Sequence, residues 1–480
     1  MPLRGGQPGK RVDARSIGEN TRQPDPSVAN VGTETEQMMR HAAAAHRAGR
    51  LPEAIAVYNR LLQQFPFNAE LHNNIGVALR SLGRFDAAIA HYRQSLALEP
   101  GNAAHHSNLG NALRSVNRCE EALQHHFRSV ALSDSYVEGF FNLGLTLRDM
   151  GRLEEALGCF QRALQLAPDN VRSRVEIAVT RLMRGDLQAG FAEYEERRRL
   201  PDHLQPEFRE PAWSGEDLTG KRLLIYPEQG LSDALQFVRY APELRARGAT
   251  VVTLVQPLLR DLLRDSGLVD VVVGEGEPLP GFDCHVSMLS LPALLGTNAA
   301  NVPASIPYLR APERSRIRIG AHARTKLKVG VFWAAMPGHP LDRQRSCPLS
   351  EFLTLADNPE VLLFSLQGGA AQKEIEQLGA ASLVHDVGRG IFDFAEAASV
   401  LTQIDLLISI DAPIAHLAGG MGLPAWVLLP HNADWRWGVG RADTPWYPSL
   451  RLFRQHSPGD WNSVLTQVRT SLGALLSGAI

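Results

Sequence analysis

The sequence predicts an array of paired α-helices followed by two α/β domains with parallel sheets. A 34-residue period in the first 200 residues predicts the array, and alternating strand and helix patterns after residue 220 predict the sheets. The length of 480 residues also exceeds the roughly 250–300 residues at which one hydrophobic core stops growing. The chain is therefore predicted to combine an α region with an α/β region in several domains.

Residues 1–34 differ in composition from the rest of the chain. They are polar, contain several Gly, Pro and Arg residues, and lack the apolar stretch of a secretory signal. A segment of this composition buries too little apolar surface to offset the entropy of ordering it. Residues 1–34 are therefore predicted to be disordered.

Several columns of residues recur every 34 positions between residues 35 and 200. Small residues fill two of them, Gly76, Gly110 and Gly144 in one and Ala54, Ala88, Ala122 and Ala156 in the other. A third column contains Gly49, Gly83, Gly151 and Gly185, with Asn117 filling the one gap. These columns resemble the tetratricopeptide repeat, in which small residues lie where two helices cross and a turn joins the helices.

Five repeat units are predicted, near residues 35–68, 69–102, 103–136, 137–170 and 171–200. Each is a helix hairpin that cannot bury its apolar face alone, so the hairpins stack on one another. The resemblance implies a tetratricopeptide-repeat α-superhelix whose concave surface binds a protein or peptide.

An asparagine column runs through three successive units. Asn74, Asn108 and Asn142 each precede an apolar residue and a glycine. The column resembles that of O-GlcNAc transferases, which implies that these carboxamides hold the backbone of a bound polypeptide, since a carboxamide both donates and accepts hydrogen bonds. The alternative is that asparagine is merely tolerated on a polar inner face.

The 34-residue period ends near residue 200, and residues 201–220 are predicted to form a connector. Strands are then predicted at residues 221–227, 250–255 and 269–273, and again at 329–333, 361–366, 406–410 and 425–429. Helical patterns separate them, which is typical of parallel sheets. The two α/β domains are predicted to span residues 221–320 and 321–480.

Motifs throughout this part resemble a known family. They include EQGLSDALQFVRYAP (228–242), FDCHVSMLSLP (282–292), DLLISIDAPIAHLAGGMGLPAWVLLP (405–430) and DWRWG (434–438). The chain resembles bacterial tetratricopeptide-repeat proteins whose C-terminal region is related to the ADP-heptose:lipopolysaccharide heptosyltransferases. The resemblance implies twin Rossmann-like domains of GT-B type, with the acceptor on residues 221–320 and a nucleotide-diphosphate sugar on residues 321–480.

The resemblance also implies site residues. Asp233 matches an aspartate proposed as the general base for the acceptor, and Asp411 and His416 match a motif at the carboxyl end of a strand, where α/β sheets bind ligands. The alternatives are helix N-caps for the two aspartates and a hydrogen-bonded core histidine for His416. Trp435 and Trp437 form either a pocket wall or part of the core.

Three further residues are candidates for donor binding. Arg345 lies in a stretch that resembles the family's arginine-containing motif and is the preferred phosphate ligand, with a solvated arginine as the alternative. Gln367 ends a predicted strand, and Glu396 is spaced from Asp405 as in the heptosyltransferase motif and is expected to hold a ribose.

Composition argues against other classes of partner. The formal net charge of −2 suggests neither nucleic acid nor an anionic membrane, and no segment reads as a membrane span. The four cysteines have no metal-binding spacing, so no metal site is predicted and a reducing, cytoplasmic location is expected. The triplet Arg197–Arg199 is interpreted as a cationic helix C-terminus.

The sequence thus predicts a metal-independent glycosyltransferase that uses a nucleotide-diphosphate sugar as donor substrate, needs no other cofactor and modifies an acceptor recruited by the repeats. The alternative is a transferase fold that has lost activity and serves as a protein-binding scaffold. Departures from the heptosyltransferase motifs at Ser232, Ala335–Met336 and Ala412–Pro413 keep this alternative open. A sugar-nucleotide epimerase is disfavoured by the repeats.

Overall fold

A computed structural model describes residues 26–203, 206–303, 305–313, 316–320, 326–335 and 342–478. The chain divides into two compact units, Met1–Ala112 and Leu113–Ile480. Helix α1 begins at Pro26, inside the segment predicted to be disordered. Proline suits a first helical position because the N–H it lacks has no partner there. Residues 1–25 lie outside the described residues.

The described part of residues 26–200 is built from helix pairs. The first unit contains α1 (Pro26–Arg47), α2 (Leu51–Gln64), α3 (Ala69–Ser81), α4 (Phe85–Leu98) and the start of α5 (Ala103–Ser115). The second unit continues with α6 (Cys119–Leu132), α7 (Val137–Asp149), α8 (Leu153–Leu166), α9 (Val171–Arg184), α10 (Leu187–Tyr194) and the 3₁₀ segment Glu195–Arg199. A helix pair is present at each of the five predicted repeats.

The turn column adopts the backbone conformation that its composition indicates. Its five members have φ between 61° and 90°: Gly49, Gly83, Asn117, Gly151 and Gly185. Positive φ is costly for most side chains but is tolerated by glycine and, more weakly, by asparagine. The column of small residues also has a steric cause, because a Cβ on Gly144 would lie 2.6 Å from the Phe160 ring.

His126 occupies a repeat position that is aromatic elsewhere, since Tyr58, Tyr92 and Phe160 lie at the same 34-residue spacing. All four side chains are buried. Neither ring nitrogen of His126 has a hydrogen-bond partner among the described residues. Burial, with the nearby charge of Arg114, lowers the pKa of His126 from 6.5 to about 3.

His126→Phe should therefore remove an acid-sensitive site from the fold. The unfolded chain binds the proton below pH 6.5 and the folded chain only near pH 3, so wild-type stability falls as pH drops through this window. The loss is about 2 kcal/mol at pH 5. Urea unfolding of both proteins at pH 8 and pH 5 measures it, with His456→Phe as an exposed control. An equal pH dependence in His126→Phe and wild type would contradict the assignment.

The α/β region forms two sheets in which every pair of neighbouring strands is parallel. The first sheet has the order β3–β2–β1–β4, with β1 (Arg222–Tyr226), β2 (Thr250–Val255), β3 (Val271–Gly274) and β4 (Cys284–Ser287). Its helices are α11 (Leu231–Phe237), α12 (Ala241–Ala246), α13 (Pro257–Ser266) and α14 (Leu291–Leu294).

The second sheet has the order β10–β9–β8–β5–β6–β7. Its strands are β5 (Leu327–Phe332), β6 (Val361–Ser365), β7 (Val384–Asp386), β8 (Leu406–Ile410), β9 (Ala425–Leu429) and β10 (Leu450–Arg454). Its helices are α15 (Asp342–Arg345), α16 (Leu349–Leu353), α17 (Glu374–Gln377), α18 (Phe394–Leu401), α19 (Pro413–Gly420) and α20 (Trp461–Leu476). Strands β8 and β9 are buried along their whole length, as expected for a sheet covered on both faces.

The last helix pair shares its core with the α/β region. The Phe191 ring of α10 makes edge contacts with Phe237 of α11 and with Trp435 and Trp446, at centroid distances of 5.4–6.3 Å. Arg197 is 2% exposed and forms a two-pronged ion pair with Glu228, at 2.7 and 2.8 Å. The triplet Arg197–Arg199 does end a helical segment, as predicted, but Arg197 in addition pairs with a buried carboxylate distant in sequence.

Candidate functional site

Asp233 lies in the first turn of α11, just after β1. The Gly230 N–H donates to one carboxylate oxygen of Asp233 at 3.0 Å, and Arg436 donates to the other oxygen. Burial raises the pKa of Asp233, and the Arg436 guanidinium opposes this shift. The N-cap of α11 is thus Gly230 and not Asp233, which is the third helical residue and binds back to the N-cap, while the catalytic assignment of Asp233 stays a prediction.

Arg436 is the site residue that sequence reasoning missed. It lies in the loop after β9 and donates to Asp434 and to the Gln236 Oε1, both at 2.8 Å, in addition to Asp233. Its guanidinium also lies 4.4 Å from the Trp435 ring centroid. An arginine between two tryptophans in the DWRWG motif was the available signal, but its partners Gln236 and Asp233 are 200 and 203 residues away in the sequence.

Asp411 and His416 lie together at the carboxyl end of β8. Burial and the charge of Asp434 raise the pKa of Asp411 to about 6, against the opposing charges of Arg345 and Arg436. The His416 Nε2 lies 4.0 Å from an Asp411 oxygen, and the His416 Nδ1 lies 2.9 Å from the Tyr447 hydroxyl. Burial and the charges of Arg436 and Arg239 hold the pKa of His416 well below its usual value, so the ring is neutral.

Buried N–H groups without hydrogen-bond acceptors among the described residues occur on side chains that bind Arg436 or interact electrostatically with Asp411. They include the Gln236 Nε2 and the Arg454 Nε. The Trp437 indole N–H lies near Asp411, whose negative charge it stabilises, without an aligned hydrogen bond. Buried donors are usually paired, and an unpaired one costs about 1–3 kcal/mol. The arrangement suits a ligand rich in acceptor oxygens.

Arg345 ends the short helix α15 and is half-buried. Its charge opposes the rise in the pKa of Asp411, which places the guanidinium in the electrostatic surroundings of the candidate site. The Ala335 N–H donates to the Oγ of Ser346, the residue that follows α15, at 3.1 Å. Met336, the second residue of one predicted motif departure, lies outside the described residues.

Gln367 does not have the free amide that a donor-binding role needs. Its Oε1 accepts from the Trp333 and Ala334 N–H groups, and its Nε2 donates to the Ala334 and Gly368 carbonyls, at 2.9–3.1 Å. These bonds use the full capacity of a carboxamide. The expectation for Gln367 therefore needs correction, because the side chain cross-links the ends of β5 and β6.

Glu396 is likewise engaged by the backbone. One of its oxygens accepts from the Arg316 and Ile317 N–H groups at 3.1 and 3.0 Å. Gln403, two turns along the chain, binds the same segment through Ile317 and Ile319 at 3.0 Å. Glu396 therefore anchors the segment that precedes β5. A ribose bound by Glu396 would have to share its carboxylate with these backbone N–H groups.

The asparagine column falls on the first helix of three repeats. Asn74 and Asn108 belong to the first unit, where the Asn108 Nδ2 donates to the Asn73 Oδ1 at 2.8 Å. Asn142 lies on α7 in the second unit and is 9% exposed. Peptide binding by this column stays a prediction.

Neither a metal cluster nor a membrane span is found within the described ranges. No three histidine, cysteine, aspartate or glutamate side chains there are grouped to hold a metal ion. No helix there is long and apolar enough to cross a bilayer.

Comparison with known proteins identifies the repeats. The tetratricopeptide repeat model matches residues 69–102 and 137–170, and a second model of the same repeat matches residues 38–69. Among solved structures, TTC0263 from Thermus thermophilus is 20% identical over 35% of this chain and 91% of its own, with a TM-score of 0.33. Pseudomonas aeruginosa PilF is 21% identical over 34% and 75%, with a TM-score of 0.32.

One curated relative extends further along the chain. Protein FlbA of Caulobacter vibrioides is 27% identical over 319 residues, which are 60% of this chain and 52% of FlbA. The chain thus spans about half the length of this relative. The comparisons confirm that this protein contains tetratricopeptide repeats, a module that indicates protein–protein interaction, followed by a parallel-sheet α/β region.

Proposed function

We propose that this chain is a glycosyltransferase that takes a sugar from a nucleotide-diphosphate sugar and transfers it to a polypeptide bound by the repeats. The proposal includes a GT-B arrangement, in which the two parallel sheets are twin Rossmann-like domains. It depends mainly on one observation: Asp411, at the carboxyl end of β8, interacts electrostatically with the Trp437 N–H and with the guanidinium groups of Arg345 and Arg436. Ligands of open α/β sheets bind at such strand ends.

The positive groups of the site suit a diphosphate. The charges of Arg345 and Arg436 lower the pKa of Asp411. The charge of Asp411 in turn raises the pKa of Arg454 against the effect of burial. Donors fixed in a water-poor site stabilise the charge that develops on a leaving group by several kcal/mol, at about 3 kcal/mol per donor. Because these guanidiniums supply positive charge, the proposed reaction is metal-independent.

Proton transfer from the acceptor is assigned to Asp411 in this proposal. A general base is most effective when its pKa lies near the working pH, and the pKa of Asp411 is about 6. Asp233 is less suited in this conformation, because its two oxygens are engaged by Gly230 and Arg436. We assign Asp233 the role of holding Arg436 in place.

Donor binding is tested by thermal stabilisation of the purified chain with a panel of nucleotide diphosphates and nucleotide-diphosphate sugars. A ligand at 100 times its Kd should stabilise the protein by about 2.7 kcal/mol, a rise in Tm of several degrees. Arg345→Ala should abolish the rise. Arg389→Ala, which removes an exposed arginine paired with Glu376, should leave it intact. Absence of stabilisation by every nucleotide would end the proposal.

A protein-binding scaffold without turnover is the second candidate. This candidate is favoured because Gln367 and Glu396, which were expected to bind the nucleotide sugar, form hydrogen bonds with backbone groups instead. The scaffold predicts capture of a polypeptide by the repeats, with neither hydrolysis nor transfer of any donor that binds. Turnover of a bound nucleotide sugar would exclude it.

A further inference from the structure

A small open cavity in the second unit is lined partly by residues that are neighbours in sequence of the candidate site. Its lining includes side chains from two repeats, from α15 and from the segments that follow β9 and β10: Asn117, Asp149, Gln344, His431, Asn432 and Gln455. Gln344 directly precedes Arg345, and Asn432 lies two residues before Asp434 in the loop that carries Arg436. Two residues of the cavity lining therefore belong to the same elements, α15 and the loop after β9, as Arg345 and Arg436 of the candidate site.

Asn117 is the exception in its repeat column. The equivalent turns use glycine, which adopts positive φ without strain, whereas Asn117 has a φ of 61°. Asparagine tolerates this conformation less well than glycine, so the fold alone favours glycine here. The turn that lines the cavity is thus the one that carries a carboxamide side chain.

Hydrogen bonds and an ion pair connect other residues of the lining. One Asp149 oxygen accepts from the Asn432 Nδ2 at 2.8 Å, and the other accepts from Arg114 at 2.9 Å. Gln455 is 3% exposed, and its Oε1 accepts from the His431 and Gly459 N–H groups at 3.2 and 3.1 Å. The Gln455 Nε2 has no acceptor within the described part of the chain.

We propose that this cavity binds the sugar moiety of the nucleotide-diphosphate sugar, an inference that rests on the proposed function. The lining offers carboxamides, an imidazole and a carboxylate but no described lysine or arginine, which disfavours phosphate. Carboxamides donate to and accept from hydroxyl groups, and a paired carboxylate accepts from them. Trp461 and Pro430 add apolar surface for the C–H groups of a sugar ring.

The test compares binding of a nucleotide-diphosphate sugar with binding of the same nucleotide diphosphate, measured by isothermal titration calorimetry. Asn117→Gly restores the residue of the equivalent turns and should fold normally. It should weaken binding of the nucleotide sugar about threefold to tenfold, the effect of one neutral hydrogen bond, and leave binding of the diphosphate unchanged. Gly83→Asn, the reverse exchange at an equivalent turn of the first unit, should change neither.

Gln455→Glu gives an independent measurement. Glutamate keeps the oxygen that accepts from His431 and Gly459 but removes the unpaired N–H, so it too should weaken only the sugar-dependent part of binding. If both variants bind the nucleotide sugar as tightly as wild type, the cavity assignment is wrong while the proposed function stands. If wild-type protein binds no nucleotide sugar, the proposed function fails and the assignment fails with it.

Discussion

Asp411→Asn is expected to reduce donor turnover by about 10²–10⁴-fold, the usual contribution of a positioned general base. The substitution keeps the size and burial of the side chain but removes its ability to accept a proton. His416 should stay in place in this variant, because its Nδ1 contacts the Tyr447 hydroxyl and only its Nε2 faces Asp411. Donor binding should therefore persist, so that kcat falls much more than KM rises.

The pH profile separates a proton acceptor from a structural aspartate. With a pKa of about 6 in the ligand-free protein, Asp411 is protonated at lower pH, and kcat/KM should fall tenfold per pH unit below this value. Asp411→Asn should have a residual rate without this dependence. Steady-state kinetics between pH 4.5 and 8.5 measure both curves on protein verified as folded at each pH.

Asp405→Asn is the matched control for this prediction. Asp405 lies at the opposite, amino end of β8, where one oxygen accepts from the Lys328 N–H at 2.8 Å, and an asparagine oxygen can accept the same bond. The kcat of the Asp405→Asn variant should equal that of the wild type. If Asp233→Asn lowers kcat and removes the pH dependence while Asp411→Asn does neither, then Asp233 is the base and the assignment made here is reversed.

The repeat half of the fold could be predicted because its signals are local and recur. The column of glycines with Asn117 predicted the turns, which the structure shows to have positive φ, and the column of small residues predicted the helix crossings, as found at Gly144. The packing of the last helix pair against the α/β region was not predicted. Contacts of Phe191 and Arg197 tie the last helix pair to the α/β region, and no period in the sequence encodes contacts between distant segments.

The α/β half was predicted less completely. Strands of uninterrupted or nearly uninterrupted apolar residues such as β8 and β9 were recognised, but β4, β7 and β10 were missed because each is short or interrupted by charged or polar residues. Parallel pairing stabilises them through neighbours remote in sequence, such as β4 through β1. The candidate site shows the same limit, since Asp233 was identified from its motif whereas its partner Arg436 comes from another sheet's loop.

Arg436→Met should destabilise the second unit by about 3–5 kcal/mol, because it leaves Asp233 as a buried charge without its partner. Asp233 is 6% exposed, and the remaining nearby carboxylate, Asp434, repels it. The double variant Asp233→Asn/Arg436→Met should regain most of the loss, since an asparagine oxygen can still accept from the Gly230 N–H. Urea unfolding of the wild type, both single variants and the double variant measures the coupling.

The thermodynamic cycle also tests whether the ion pair serves stability or function. A buried pair often contributes little net stability compared with neutral groups of similar shape, because desolvation offsets the attraction. If the double variant unfolds near the wild-type midpoint but no longer binds nucleotide sugar, the pair is maintained to position Arg436 for the ligand. If the double variant remains as unstable as Arg436→Met, the loss comes from the contacts of Arg436 with Asp434, Gln236 and Trp435 instead. Exchange of the exposed Arg389 for methionine should leave the midpoint unchanged.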